Sequence, residues 1–123
     1  DWGYEKLHEA IEKRAIDEMK HAEKLIGRIL FLEGKPVVSN LNEINIGATV
    51  DVQHKNDHKA EETAIKAYND AIKLAVDVGD NGSRDLLEEI LEDEEEHIDW
   101  IEAQLDQIEQ MGLQVYLGEQ LEE

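Results

Sequence analysis

The chain has no cysteine, a single proline and no apolar run longer than four residues. Without cysteine there are no disulfides, thiolate zinc sites, iron–sulfur clusters or thioether-linked haem. The short apolar runs exclude a membrane-spanning helix and show no signal sequence, so the expected location is the cytoplasm. Basic residues are scarce as well: 12 Lys and Arg stand against 31 Asp and Glu, a net charge of −19. So negative a surface repels phosphate backbones, which argues against nucleic-acid binding, and it attracts cations. What remains is helix-forming material. Of the 123 residues 41% are hydrophobic, enough for the core of one helical bundle and lean for a sandwich or barrel.

Apolar residues recur at helical spacing through three long segments. The first runs from about Tyr4 to Glu33 with Leu7, Ile11, Ala15, Ala22, Leu25, Ile29 and Leu32 on one stripe. Gly34-Lys35-Pro36 ends it, because Gly terminates helices and Pro cannot continue one. The second runs from about Val50 to Val78, with Glu61, Ile65, Tyr68, Ile72 and Ala75 in register. Gly79-Asp80-Asn81-Gly82 reads as a tight turn, Ser83 as the cap of a third helix reaching Met111, and Leu113 to Leu121 as a short fourth. The third stripe is Leu87, Ile90, Ile101, Leu105 and Ile108.

The connection between the first two helices is informative. About 15 residues stretched out reach on the order of 50 Å, and a helix of about 28 residues is about 42 Å long. The connection therefore spans the bundle and starts the next helix in parallel, whereas the Gly79–Gly82 turn forces an antiparallel neighbour. One long crossover among short turns is the connectivity of ferritin-like bundles. The expected fold is an all-α, ferritin-like four-helix bundle over residues 1–123, one helix short. The missing helix is expected on the N-terminal side, as a separate segment or a further part of the natural protein.

Glu18 and His21, and again Glu94 and His97, form a Glu-x-x-His pair, which puts carboxylate and imidazole on one helix face. Spacing alone says little in so acidic a chain: Glu5–His8 and Asp51–His54 share it. Phase discriminates. Glu18 falls in the stripe between Ala15 and Ala22, and Glu94 between Ile90 and Ile101, where a carboxylate is costly unless paired or metal-bound. Glu5 and His8 lie beside their stripe, and Asp51 opens its helix as a capping or first-turn acid, so both those pairs read as solvated. On the second helix Glu61 is in register with the core and Glu62 with the wet residues Lys66, Asn69 and Lys73. Carboxylate and imidazole together suit iron or manganese, with zinc as an alternative, and a metal-free hydrogen-bonded network is the competing reading. Met19 belongs to a second apolar stripe with Ile16, Ile26 and Leu30, facing away from the core, and reads as an interface residue.

The segments Asp17-Glu18-Met19-Lys20-His21-Ala22-Glu23, Arg28-Ile29-Leu30-Phe31-Leu32-Glu33-Gly34 and Asp93-Glu94-Glu95-Glu96-His97-Ile98-Asp99-Trp100 resemble bacterioferritin. So do Asn45-Ile46-Gly47 and Gln110-Met111-Gly112-Leu113-Gln114, and the likeness covers nearly the whole chain. The resemblance implies a ferroxidase that oxidises Fe(II) and stores ferric mineral in a cage of about 24 subunits built from two-fold dimers, the ligand arrangement being that of di-iron carboxylate bundles. It implies a di-iron centre in which Glu18 and Glu94 bridge, His21 ligates one iron, and Glu61 and His97 ligate the other. It matches Met19 to the methionine that ligates haem b across a dimer axis. A small ferredoxin is the implied electron donor for iron release. Two departures stand out. The family's first helix, with its terminal Glu ligand, has no counterpart after Asp1, and Lys13 and Arg14 occupy positions near the site where some relatives carry groups that route iron. The competing functions are a rubrerythrin-like di-iron peroxidase, whose usual cysteine-ligated iron site is absent, and a non-catalytic helical fragment.

Overall fold

A computed structural model describes residues 5–37 and 49–121. Four helices account for most of them: α1 (Glu5–Phe31), α2 (Val50–Asp77), α3 (Asn81–Met111) and α4 (Leu113–Glu119). Tyr4, the centre of the long crossover and Asn45-Ile46-Gly47 lie outside the described residues. No helix among the described residues is long and apolar enough to cross a membrane.

The helix ends follow from local chemistry, with two changes from expectation. α1 does not end on Gly34: Glu33 takes the left-handed conformation, at φ 63°. Its N–H bonds to Leu30 O at 3.0 Å and that of Gly34 to Ile29 O at 2.8 Å, a closed C-terminal motif that satisfies carbonyls the helix leaves open. Gly34 serves a different need, since a Cβ there would sit 3.0 Å from Ile29 Cγ2. α2 ends in the same motif with glycine at the left-handed position, Gly79 at φ 75°. The second change is the start of α3. Asp80 is the cap, its carboxylate accepting from the Ser83 N–H at 3.1 Å. Because α3 already begins at Asn81, Ser83 lies inside the first turn, where capped N–H groups belong.

Pairs between α1 and α3 run in opposite directions along the two helices: Asp17 with His97, His21 with Asp93, Lys24 with Glu89 and Arg28 with Asp80 at the mouth of α3. α1 is therefore antiparallel to α3. The turn at Gly79 makes α2 antiparallel to α3 too, so α1 and α2 are parallel, as the long crossover requires. Both pack on α3, and α1 reaches α2 where Arg14 meets Glu61 and Asp57.

The core is concentrated on α3 and its partners: Ala75, Ile90, Ile101 and Tyr116 are buried. Tyr116 comes from α4, which Gly112 (φ 82°) turns back over the end of the α2–α3 hairpin. Along α1, only Leu7 is a buried apolar side chain. Ile11, Ile29 and Leu32 of its core stripe stay exposed, as do Ile16 and Leu30 of the second stripe.

Candidate metal centre

α1 contributes Glu18 and His21, α2 contributes Glu61, and α3 contributes Glu94 and His97. Glu61, Glu94 and His21 are buried, and the phase argument that chose Glu61 over Glu62 holds, since Glu62 is exposed. Glu18, Glu61, Glu94 and His97 each offer a ligand atom, all within 4.8 Å of one another. His21 sits on the far side of the group, its Nδ1 3.3 Å from Glu94 Oε1 and 3.9 Å from Glu18 Oε1. Opposite it, His97 Nδ1 lies 3.4 Å from both those carboxylates and 3.9 Å from Glu61 Oε1. Glu18 and Glu94 thus face both imidazoles, and Glu61 faces one.

Of these inner atoms only Glu61 Oε1 forms a hydrogen bond, accepting from Arg14; the others form none, and nor does the second Glu61 oxygen. Glu18 Oε1, His21 Nδ1, Glu61 Oε2, Glu94 Oε1 and His97 Nδ1 are all buried without a partner, and Asp51 Oδ1 is the one other such atom among the described residues. Buried polar atoms are ordinarily satisfied, because leaving one unpaired costs about 1–3 kcal/mol. Five such atoms on the residues of one cluster mark a group that could hold a metal ion.

The outer sides of the two imidazoles and of Glu61 are fixed. His21 Nε2 lies 2.8 Å from Asp93 Oδ2, and His97 Nε2 lies 3.2 Å from Asp17 Oδ2. An ionised carboxylate only accepts, so each ring donates its Nε2–H outward and turns Nδ1 inward, the arrangement that orients metal-binding imidazoles. Each Asp–Glu pair therefore supports the histidine of the other helix. Lys13 in turn donates to Asp17 at 2.9 Å. Arg14 donates through Nε (3.0 Å) and Nη2 (2.7 Å) to Glu61 Oε1.

Burial and close charges set the protonation of the cluster. Burial pushes the Glu94 carboxyl up to about 8, since a second charge among carboxylates is poorly solvated. The Glu18 and Glu94 carboxylates hold His97 protonated, pushing it up to about 10. Burial alone would raise Glu18, but His97, the Glu94 carboxyl and then His21 outweigh it and bring that carboxyl down to about 2. Burial, helped by the three carboxylates, pushes the nearby Tyr68 hydroxyl up to about 12.

The sequence profile of the ferritin-like domain matches residues 1–111. The bacterioferritin of Brucella melitensis is 39% identical over 116 residues, covering 94% of this chain and 72% of that protein. The bacterial ferritin of Synechocystis is 43% identical over 122 residues, or 98% and 78% of the two chains. The bacterioferritin of Rhodobacter capsulatus is 37% identical over 93% of this chain and 71% of its own. This chain belongs to the bacterioferritin family.

Within that family frame, the structure brings all five expected groups together and leaves Met19 apart. Met19 lies on the outer face of α1, 64% exposed, with Ile16 and Leu30 exposed near it. Reasoning from sequence missed Asp17 and Asp93, and it placed Arg14 near the site without its partner Glu61. The first two carried a signal, because each of the two core-facing Glu-x-x-His pairs is preceded by Asp. It also misplaced His54, taken as solvated: the ring is buried, edge-on to Trp100, 3.1 Å from the Tyr116 hydroxyl. The other decoy reads as expected, His8 forming an exposed pair with Glu12 at 3.2 Å.

Proposed function

We propose that the chain is the subunit of an iron-storing ferroxidase, with Fe(II) as substrate of the Glu18, His21, Glu61, Glu94 and His97 centre. The observation that carries this reading is a cluster of five residues, each with a buried, unpartnered ligand atom, whose two imidazoles are already held from outside. Glu18 and Glu94, facing both imidazoles, bridge two ions; His21 serves one, and Glu61 and His97 serve the other. Each Fe(II) gives up one electron, and dioxygen takes the pair with two protons from solvent to become hydrogen peroxide, or hydrogen peroxide takes the pair with two protons to become two waters. Hard carboxylate oxygens stabilise Fe(III) over Fe(II), which favours oxidation. The ferric product then leaves for a mineral held inside a cage of about 24 subunits, as in ferritin-like di-iron proteins.

Two further parts complete the reading. The exposed residues Ile11, Ile29 and Leu32 support a further helix covering α1 and α2, which brings the remaining carboxylate ligand. Met19, one soft sulfur on an apolar outer face, fits a haem b shared with the same residue of a two-fold related copy. When bound, that haem supplies a one-electron carrier, suited to reducing stored iron with electrons from a small ferredoxin.

Glu94→Ala should abolish rapid Fe(II) oxidation, followed by absorbance of the ferric product, while the assembly keeps its size on a sizing column. Unchanged rapid oxidation in that variant would refute the site.

A further inference from the structure

We propose that Arg14 makes this a site that iron passes through rather than one where it stays, by claiming one oxygen of Glu61. The inference rests on the reading of the centre given above and concerns how tightly that centre holds its metal. Arg14 lies one turn before Glu18 on α1 and crosses to α2. Its Nε and Nη2 both end on Glu61 Oε1, at 3.0 and 2.7 Å, and its Nη1 lies 3.4 Å from Asp57 Oδ2. The other Glu61 oxygen, Oε2, is buried and has no partner. One carboxylate thus carries a permanent cation on Oε1, the oxygen 3.9 Å from His97 Nδ1, and keeps Oε2 buried and unpartnered.

Two consequences follow. With Oε1 occupied, Glu61 meets a metal through one oxygen only. The ion also meets a carboxylate whose charge is shared with a guanidinium that stays protonated at any working pH, so the attraction is weaker. The same contact keeps the centre ready to reload. Once the metal leaves, Glu61 is still paired, and a buried carboxylate without a partner is strongly destabilising. A resident metal cofactor needs neither property; a turnover site needs both.

Cobalt(II), a divalent ion that reports its coordination through visible absorption and is not oxidised as Fe(II) is, separates the outcomes when titrated into metal-free protein. Arg14→Met should bind cobalt on the order of tenfold tighter and surrender it more slowly to a chelator. Its visible bands should shift as Glu61 gains a second free oxygen. The metal-free variant should melt at lower temperature and the cobalt-bound variant should recover. Arg14→Lys, which keeps the charge, should return the affinity close to that of the parent protein. If Arg14→Met does not fold, Arg14→Gln carries the same expectation. Unchanged or weaker cobalt binding in the neutral variants, with melting lowered equally with and without metal, would overturn the proposal by making Arg14 merely structural. Glu94→Ala run in parallel keeps the two readings distinguishable. Loss of binding there leaves the centre standing whatever Arg14 does, and full binding there overturns the centre and the proposal together.

Discussion

The α2–α3 hairpin closed by α4 and the long helix α1 are held by different forces. In the hairpin, Ala75, Ile90, Ile101 and Tyr116 exclude water from a shared core, and the Tyr116 hydroxyl donates to Gln104 at 2.7 Å. That leaves the hydroxyl to accept from His54, so His54, Tyr116 and Gln104 satisfy one another beneath α4. α1 has one buried apolar anchor, Leu7, and is otherwise tied down by charge: Arg14–Glu61, Asp17–His97, His21–Asp93, Lys24–Glu89 and Arg28–Asp80. The difference bears on where the proposed metal chemistry would sit. The centre straddles the boundary between the two regions, and the contacts that attach α1 are largely the contacts that orient the ligands. Stability and function are separable in the hairpin and are one thing at α1.

The sharpest way to break this contrast is in the hairpin. Ile90 is fully buried, and Ile90→Ala should cost about 2–5 kcal/mol, lowering the urea midpoint and speeding amide exchange throughout the chain. Leu7→Ala, at α1's one apolar anchor, should shift the midpoint less and speed exchange mainly in the first half of α1. If Leu7→Ala opens the whole molecule as Ile90→Ala does, the two regions are a single cooperative unit and the contrast fails.

Acid should weaken the closed end of the hairpin. Burial holds His54 below its ordinary value of 6.5, against the opposing pull of Asp57 and Asp51, so the folded chain keeps the ring neutral. The unfolded chain takes up the proton first. The contribution of His54 is therefore intact above about pH 6.5 and is lost as the pH falls below that value toward the depressed folded one. Urea midpoints measured from pH 7.5 to 5 should fall less steeply for His54→Gln than for the parent chain, and equal slopes would count against it. The smallest effect belongs to the other end. Arg28→Ala removes a part-exposed pair with Asp80 and a bond to Ser83 at 2.9 Å, and should move the melting temperature by no more than about 2 °C.

Much of this was legible from residues alone. The start of α2 at Val50 and the end of α3 at Met111 fall where periodicity and glycine put them. The choice of Glu61 over Glu62 needed only the 100° step between neighbours on a helix. Where reading failed, the deciding atom came from far away. His54 looks like a wet-face residue beside Asp51, and its burial depends on Tyr116, 62 positions later, folding back through Gly112. The exposure of α1's core stripe was likewise foreseen only as a bundle one helix short.

Periodicity, caps and breakers are properties of one helix, so the sequence by itself determined the three long helices, the parallel course of α1 and α2, and which acids face inward. The tertiary structure decided the pairings: Asp17 with His97 rather than with its own His21, and Arg14 with Glu61. Such pairings depend on how far one helix slides and rotates against another. That offset is set by the sum of all packing contacts along the interface, and no local pattern records it.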